Sequence, residues 1–377
     1  MHILVYFLAA SISLTFVVGD AQANEPALPK EPTWIDQPPP SKLRPGRLRR
    51  GPEGQIILDD KPREIRVCPA KGAEIGCTYR NIARALADAF PNDTIILAPG
   101  IYHQGLVINV PNITLKGEPG AHLMGVPVEG KAALVVRADG VVIDGVECSH
   151  IAVPDQNGAC IRVEGANLTV RNVYFHDNQA GILGGPGGGI FLVENSRFER
   201  NGFGGYAHGL YISRNVETFI FRNNEVFRTT GKGHDLKSRA QRTIIENNIF
   251  AGLEGQNSRA LDLPNGGEIV IRSNYFEKGP NSDNWDMIGL ALETQTIGFN
   301  AVNKTLIEGN TFIFDHSDGV VLRSLSTSEI IFRDNMVVGS RSIGARTIGG
   351  GNRFFDTRAA AGLPPYPVLP SMDQTVN

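Results

Sequence analysis

The sequence predicts an all-β fold, a single-stranded right-handed parallel β-helix (solenoid) with an N-terminal capping α-helix. One short motif, an apolar strand followed by Asn and then an aromatic or aliphatic residue, recurs between residues 170 and 337. Each repeat contains short alternating segments broken by Gly or Asn, which cannot bury an apolar face alone, so successive coils must stack. No segment between the motifs has a period near 3.6, which disfavours helical and leucine-rich solenoids.

The copies of the motif share the apolar strand and the Asn. They are Val170–Phe175, Val193–Phe198, Phe221–Phe227, Ile245–Phe250, Ile271–Phe276, Ile307–Phe312 and Ile331–Val337. Their last apolar residues are 23, 29, 23, 26, 36 and 25 positions apart. Because Asn tolerates left-handed turns and bonds through its amide, we expect these residues to form a hydrogen-bonded ladder between coils.

The N-terminus has the pattern of an export signal. An apolar run from Ile3 to Val18 precedes Ala21-Gln22-Ala23, a small-x-small cleavage site. This predicts a signal peptide over residues 1–23, cleaved after Ala23, and a secreted or periplasmic protein. His2 is the only basic group of the first segment, so a membrane anchor is the alternative, although the run is short for a span. No later segment is apolar enough to cross a bilayer.

Three further regions follow in the mature chain. Residues 24–54 are rich in proline and predict a basic linker or arm, residues 55–357 the β-helix domain, and residues 358–377 an extended tail containing several prolines. The arm carries a basic run that either meets an anionic surface or, more commonly, is simply solvated. That run consists of Lys42, Arg44, Arg47, Arg49 and Arg50.

Four cysteines in an exported chain suggest two disulfides. The pairings between neighbours in sequence are Cys68–Cys77 and Cys148–Cys160, but three connectivities are open, and four buried thiols are an alternative. Their spacing does not resemble a zinc site.

A capping helix is predicted before the first full coil. Residues 79–90 place Ile82, Leu86 and Phe90 on one face, with Thr78 as N-cap and Pro91 after the end. The segment 82–102, from this helix into the next strand, resembles the pectate-lyase-like right-handed β-helix superfamily. The resemblance covers roughly residues 78–355 and is specific for the fold. It is weak for function, since the superfamily contains lyases, hydrolases, epimerases and non-enzymatic adhesins.

Aligning the coils predicts columns of outward side chains on one face. The alternating inward pairs used for the alignment are Leu210/Ile212, Leu236/Ser238, Leu261/Leu263, Leu290/Leu292 and Val320/Leu322. The first outward column is then Tyr211, Lys237, Asp262, Ala291, Val321, and the second is Ser213, Arg239, Pro264, Glu293, Arg323. Arg162 joins from an earlier coil, and His208, His234 and Arg259 share one position just before their strands.

This cluster predicts β-elimination on a uronic-acid polysaccharide, so the partner is an anionic glycan. The reaction needs a cation at the substrate carboxylate, a base at the C5 proton and an acid at the leaving oxygen. We expect Arg239 and Arg323 to neutralise the carboxylate, Lys237 to be the base, and Tyr211 or His208 the acid. If Asp262 keeps Lys237 charged, His234 becomes the better base. The resemblance adds that several β-helix lyases use Lys or Arg in these roles.

Further residues are expected to bind substrate. They are Asp262, Glu293, Arg323, Arg259 and Arg162, with Trp285 and Tyr206 stacking on sugar rings. The resemblance implies that Ca²⁺ assists many relatives, and Asp262, Glu293, Asp283 and Asp286 carry suitable oxygens. Because these acids do not cluster tightly in the alignment, no metal site is predicted and Ca²⁺ is left open.

Three alternatives to a lyase are weighed. Asp262 and Glu293 would lie about 8 Å apart, inside the inverting range for a glycoside hydrolase, but the polygalacturonase motifs are absent. C5-epimerisation is chemically close, but the alginate-epimerase signature is missing. A non-catalytic carbohydrate-binding or surface protein needs no such cluster of proton-transfer groups. A formal charge of −3 gives no argument for nucleic-acid binding, and we expect a monomer.

Overall fold

The computed structural model describes residues 61–69, 76–316 and 319–369, with the backbone of the strands at 47–50 and 56–59. The predicted signal peptide and most of the predicted arm lie outside the described residues. The boundaries predicted for the arm, the β-helix domain and the tail stay predictions. No helix in the described part of the chain is long and apolar enough to cross a membrane.

The described chain is almost entirely short strands. In chain order they are β1 Arg47–Arg50, β2 Ile56–Asp59, β3 Glu64–Val67, β4 Thr94–Leu97, β5 Gly100–Tyr102, β6 Leu106–Ile108, β7 Thr114–Gly117, β8 Ala121–Met124, β9 Ala132–Val136, β10 Val142–Asp144, β11 Glu147–Ser149, β12 Ala159–Val163, β13 Leu168–Arg171, β14 Tyr174–His176, β15 Ala180–Gly184, β16 Gly189–Glu194 and β17 Arg197–Glu199. They continue as β18 Leu210–Ile212, β19 Val216–Arg222, β20 Glu225–Phe227, β21 Leu236–Ser238, β22 Arg242–Glu246, β23 Ile249–Ala251, β24 Leu261–Leu263, β25 Glu268–Arg272, β26 Tyr275–Lys278, β27 Asp286–Leu290, β28 Lys304–Glu308, β29 Thr311–Phe314, β30 Val320–Ser324, β31 Ile330–Arg333, β32 Met336–Val338 and β33 Arg353–Phe355. The helices are α1 Ile82–Ala87 and α2 Thr294–Ile297.

Three parallel sheets form the walls of the solenoid. Sheet I runs β3-β4-β7-β10-β13-β16-β19-β22-β25-β28-β31. Sheet II runs β5-β8-β11-β14-β17-β20-β23-β26-β29-β32-β33, and sheet III runs β6-β9-β12-β15-β18-β21-β24-β27-β30. Along most of the solenoid each coil therefore gives one strand to every sheet and pairs with the coils before and after it. This confirms the predicted parallel β-helix.

The predicted asparagine ladder is present. From Asn224 the side-chain amide of each Asn donates to the amide oxygen of the next Asn along the solenoid. The chain of donors and acceptors is Asn224, Asn248, Asn274, Asn310, Asn335 and Asn352. The residue before a ladder Asn takes the left-handed conformation, with φ of 56° at Asn223 and 54° at Asn247. The motif therefore turns the chain at one residue and ties the coils together at the next.

The ladder also sets the register of the aromatic column inside the solenoid. Two residues after each ladder Asn from Asn224 to Asn335 an apolar side chain is buried inside the solenoid, and the rings of Phe250 and Phe276 stack with centroids 5.1 Å apart. The sequence alignment was wrong at one coil, where Val226 and not Phe227 pairs with Phe198 and Phe250. Phe227 packs instead in a separate outer cluster. Val226 lies two residues after the ladder residue Asn224, so this spacing from the Asn identifies the residue that pairs with Phe198 and Phe250.

Helix α1 is shorter than predicted. Its N-cap is Asn81, whose Oδ1 accepts from the Arg84 N–H, and not Thr78. Tyr79 forms a parallel bridge with Val67, so the chain there is extended and cannot begin the helix. Ile82, Ala85 and Leu86 are buried in the core of the first coils, as a cap requires.

Both disulfides between sequence neighbours form, Cys68–Cys77 and Cys148–Cys160, which settles the connectivity left open above.

At the C-terminal end, the chain after Thr357 packs on the outer face of sheet II, where Leu363 contacts the apolar cluster formed by Tyr275, Ile313 and Val338.

Candidate active site

A single column of side chains crosses the outer face of sheet III. In register it contains Arg162, Leu183, Tyr211, Lys237, Asp262, Gly289 and Arg323. The structure thus brings together Tyr211, Lys237 and Asp262 as predicted. It also places Arg162 and Arg323 at the two ends of this column.

Two positions of the predicted column are wrong. Gly289 and Arg323 occupy the places assigned to Ala291 and Val321. The pairs in register with Leu261/Leu263 are Ile288/Leu290 and, on the next coil, Leu322/Ser324, rather than Leu290/Leu292 and Val320/Leu322. Ala291 has φ of 59°, so the chain leaves sheet III there and continues into α2. A Cβ at position 289 would lie 2.8 Å from Arg259 Cδ and 2.9 Å from Asp262 Oδ1. The close approach of that ion pair explains the glycine.

The charged groups alternate in sign across the column. Lys237 Nζ lies 3.0 Å from Asp262 Oδ2 and 2.6 Å from Glu293 Oε1. The other oxygen of Glu293 accepts from Arg239 Nη2. Burial raises the pKa of Glu293, but the hydrogen bonds from Lys237 and Arg239 outweigh it and lower that pKa to about 2. Glu293 is therefore a carboxylate held by two cations.

Asp262 lies beneath Lys237 and is buried, so a ligand in the cleft cannot contact it. The residue is 2% exposed. Its carboxylate oxygens face Lys237, His234 Nε2 at 3.4 Å and Arg259 Nη1 at 3.5 Å. Arg259 in turn pairs with the fully buried Asp286. The structure thus makes Asp262 and Arg259 internal partners of the site, whereas the sequence predicted substrate contacts.

The two histidines stack with ring centroids 4.8 Å apart. The Nδ1 of His208 accepts from the His234 backbone N–H, and the Nδ1 of His234 accepts from the Arg259 N–H, each at 3.2 Å. Burial lowers the pKa of His208 to about 3 and that of His234 well below its usual value. Both rings are therefore neutral at pH 7 and carry their proton on Nε2. Such rings donate a hydrogen bond but are poor bases.

Lys237 is equally unsuited to the predicted role of base. Its ammonium is used as the donor to two carboxylates, and an ammonium has no lone pair with which to take a proton. Its geometry instead suits it to hold negative charge in front of Tyr211.

An open cleft of ≈ 340 Å³ lies above these groups. Its walls include Tyr206, His208, Tyr211, His234, Lys237 and Arg239. Tyr206 is 55% exposed at one end of the cleft. Trp285, 46% exposed, lies beyond the cleft with the Arg323 guanidinium 5.9 Å from its ring centroid. Arg162 is engaged locally, donating to the Gly184 carbonyl. The exposed aromatic side chains thus border the ion network on either side.

The site has members that the sequence reasoning missed. Asn265 is fully buried, and its Oδ1 accepts from Arg239 Nη1 at 2.7 Å, which fixes the guanidinium. Asp286, considered only as a calcium ligand, neutralises Arg259. Asn265 follows the Leu261–Leu263 strand and lies in line with Arg239 of the preceding coil. This pattern could have predicted the contact between the two side chains. Nothing in the sequence pointed to the second pairing.

The acids considered for Ca²⁺ are each paired with a cation. Asp262 and Glu293 share Lys237, Asp286 faces Arg259, and the exposed Asp283 pairs with Lys232 at 2.8 Å. These four acids do not converge on a shared position, so they do not fit a Ca²⁺ site.

A protein-family model described as "Right handed beta helix region" matches residues 120–276. This match agrees with the three parallel sheets, and the chain folds as a right-handed parallel β-helix. No curated protein matches this β-helix chain in sequence.

Two solved structures resemble this β-helix over most of its length. An alginate lyase from Paenibacillus sp. str. FPU-7 superposes with a TM-score of 0.56 at 16% identity, covering 78% of this chain and 97% of that one. The pectate lyase Pel9A gives a TM-score of 0.53 at 16% identity, with 84% and 85% covered. At this identity the likeness establishes the fold alone.

Proposed function

We propose that this protein is a secreted polysaccharide lyase that cleaves a uronic-acid-containing glycan by β-elimination. The observation that carries the proposal is a carboxylate, that of Glu293, held between Lys237 and Arg239, two cations that line the cleft together with Tyr211. The two disulfides fit an exported protein. Both solved structures named above are lyases of acidic polysaccharides, which agrees with the proposal.

In this proposal the substrate carboxylate takes the place of Glu293. The Glu293 side chain is 36% exposed and belongs to a segment outside sheet III, so it can yield to a ligand. Lys237 and Arg239 are fixed from below by Asp262 and Asn265. The two cations would then neutralise the uronate charge, and the negative charge that develops at C5 would be stabilised in the transition state.

Tyr211 is the group we assign to proton transfer. With Lys237 committed as an ammonium and both histidines protonated on Nε2, its hydroxyl is the remaining side-chain group at the cleft floor that both accepts and donates. In the reacting form Tyr211 is a phenolate next to Arg239. The phenolate takes the C5 proton, the C5–H electrons form the C4–C5 double bond, the C4–O bond breaks, and the hydroxyl formed on Tyr211 returns the proton to the leaving oxygen. In this proposal the Nε2–H of His208 donates a hydrogen bond to that oxygen.

Hydrolysis by the Asp262–Glu293 pair is less well supported. Both carboxylates contact one ammonium, so their facing oxygens are less than about 6 Å apart, below the 6.5–9.5 Å of an inverting pair. A shorter, retaining spacing would need both acids open to the sugar, and Asp262 is buried. The ammonium also occupies the space between them.

The test is absorbance near 235 nm, where the unsaturated sugar absorbs, with alginate, polygalacturonate and glucuronate-containing glycans as substrates. We expect wild-type protein to generate this signal on one of them. Tyr211→Phe, which keeps the ring, should lose at least about a hundredfold in rate, the usual scale for a lost acid–base group.

Tyr79→Phe is the matched control, because its hydroxyl bonds Asp88 at the N-terminal end. It should retain wild-type activity. New reducing ends without the absorbance would mean hydrolysis. Binding without either signal would mean a carbohydrate-binding protein. Full activity in Tyr211→Phe would remove Tyr211 from the mechanism.

A further inference from the structure

A second cluster of ionisable groups lies on the outer face of sheet II, apart from the cleft on sheet III. Four of the chain's eight histidines meet there: His103, His122, His150 and His176. Glu147 lies among them, in register with His122 on the preceding coil. The proposed reaction uses none of these side chains.

Three of these residues converge on one point. Glu147 Oε1 lies 3.5 Å from His122 Nδ1 and 3.1 Å from His176 Nε2. One ligand atom from each residue lies within 4.8 Å of those of the other two. A tetrahedral zinc ion with bonds of 2.0–2.1 Å separates its ligands by about 3.3–3.4 Å. Two edges of the triangle therefore already have the length that a zinc ion requires.

The remaining ring nitrogens are engaged in the way that metal-binding histidines usually are. His176 Nδ1 lies 2.7 Å from Asp177 Oδ2, and His122 Nε2 lies 2.7 Å from Ser149 Oγ. Asp177 is itself held by Arg200, whose hydrogen bonds lower the pKa of Asp177 to about 2. These partners orient both rings so that His122 Nδ1 and His176 Nε2 face Glu147.

The cluster is also accessible. The side chains of His122, Glu147 and His176 are 15%, 34% and 12% exposed, so one side is open to solvent. Two imidazoles and one carboxylate favour Zn²⁺ over Ca²⁺ or Mg²⁺.

We propose that His122, Glu147 and His176 form a Zn²⁺ site with water as the fourth ligand. The ligands belong to β8, β11 and β14, which are consecutive strands of sheet II. A bound ion therefore joins three successive coils at the N-terminal half of the solenoid. Without metal, hydrogen bonds alone hold the His176 ring between Glu147 and Asp177, and the experiment separates these two states.

The experiment uses the full mature chain, treated with a chelator and dialysed. Titration with ZnCl₂ is followed by calorimetry and by the melting temperature. We expect one equivalent of Zn²⁺ to bind and the melting temperature to rise with Zn²⁺ concentration. CaCl₂ and MgCl₂ at the same concentrations should have no such effect. The double variant His122→Ala/His176→Ala should lose this binding, and Asp177→Asn should weaken it about 10- to 100-fold.

Two controls address other histidines. His103→Ala removes a ring of the same patch whose Nδ1 bonds the Met124 carbonyl, and His234→Ala removes a possible ligand in the cleft. Both should bind Zn²⁺ as wild type does. Failure of the wild-type chain to bind Zn²⁺, or equal binding by the double variant, would overturn the proposal.

Discussion

The Lys237 side chain shows how burial turns a candidate catalytic group into an electrostatic one. The residue is 9% exposed and contacts a buried carboxylate on one side and a half-buried one on the other. Its charge is thereby balanced inside the protein, and its position is fixed before any ligand arrives. Removing it should affect both folding and catalysis, and the two effects can be separated.

Lys237→Ala should lose at least about a hundredfold in lyase rate and about 3 kcal/mol in stability, because it leaves Asp262 buried without its cation. Because Glu293 is partly exposed, solvent screens its charge, and breaking its pair with Lys237 contributes less to this loss of stability. The double variant Lys237→Ala/Asp262→Ala should regain most of the stability but not the activity. Urea unfolding and the 235 nm assay measure the two effects. A single variant as stable as wild type would contradict this role for the ion pair.

The depressed pKa of His234 predicts a loss of stability in acid. In the unfolded chain the ring takes up a proton as the pH falls below about 6.5, whereas the buried ring stays neutral. Stability is therefore fully present above pH 6.5 and falls as the pH is lowered towards the folded-state pKa. Between pH 7 and pH 5 this loss is at most about 2 kcal/mol, the limit reached if the folded ring stays neutral at pH 5.

His234→Asn keeps an acceptor for the Arg259 N–H but does not titrate. Its unfolding free energy, measured in urea at pH 7 and pH 5, should fall less than that of wild type, by up to about 2 kcal/mol. A parallel pH dependence in both proteins would show that the ring ionises in the folded state.

At the scale of elements, the asparagine ladder holds the coils in register. Asn248 is fully buried, and its Oδ1 accepts from both the backbone N–H and the side-chain amide of Asn224. Asn248→Ala leaves those donors and the Phe221 carbonyl unsatisfied, so we expect a loss of about 3 kcal/mol in unfolding free energy. The adjacent Asn247, exposed at φ 54°, is the control. Asn247→Gly should change stability by less than about 0.5 kcal/mol, and equal losses in both variants would count against the ladder.

The sequence correctly predicted the features that follow directly from the repeat. The repeated strand–Asn motif predicted the parallel coils, the ladder and the grouping of Tyr211, Lys237 and Asp262 on one face. It was insufficient where a single backbone angle decides the path. Ala291 adopts a left-handed conformation that is uncommon for alanine, so the sequence placed it in the column position that Gly289 occupies. The histidine cluster was missed because its members fall on sheet II, whose outward columns were not aligned.

At the scale of the whole molecule, the chain after Thr357 covers part of sheet II through one buried arginine. Arg358 Nε donates to Asp315 Oδ1 at 2.9 Å, and its Nη1 donates to the carbonyls of Pro364 and Val368, each at 3.1 Å. These bonds hold the segment over the apolar cluster that contains Tyr275.

Arg358→Ala should therefore loosen this segment, lower the melting temperature and increase the binding of an apolar fluorescent dye. The control is Arg341→Ala, which breaks a pair with Asp356 whose side chains are 77% and 67% exposed. Such an exposed pair contributes little to stability, because solvent screens its charges. If both variants have the same melting temperature, Arg358 does not hold the segment on sheet II.

Glu293, which lies outside sheet III and pairs with two cations of the cleft, affects which ligands can bind there. Because Glu293 already satisfies Lys237 and Arg239, a lone sugar acid has to compete with a group tethered permanently next to its own binding position. A longer oligomer gains extra contacts near Tyr206, or farther off at Trp285, and can displace the tethered rival. We therefore expect monosaccharide products to inhibit weakly and affinity to rise steeply with chain length.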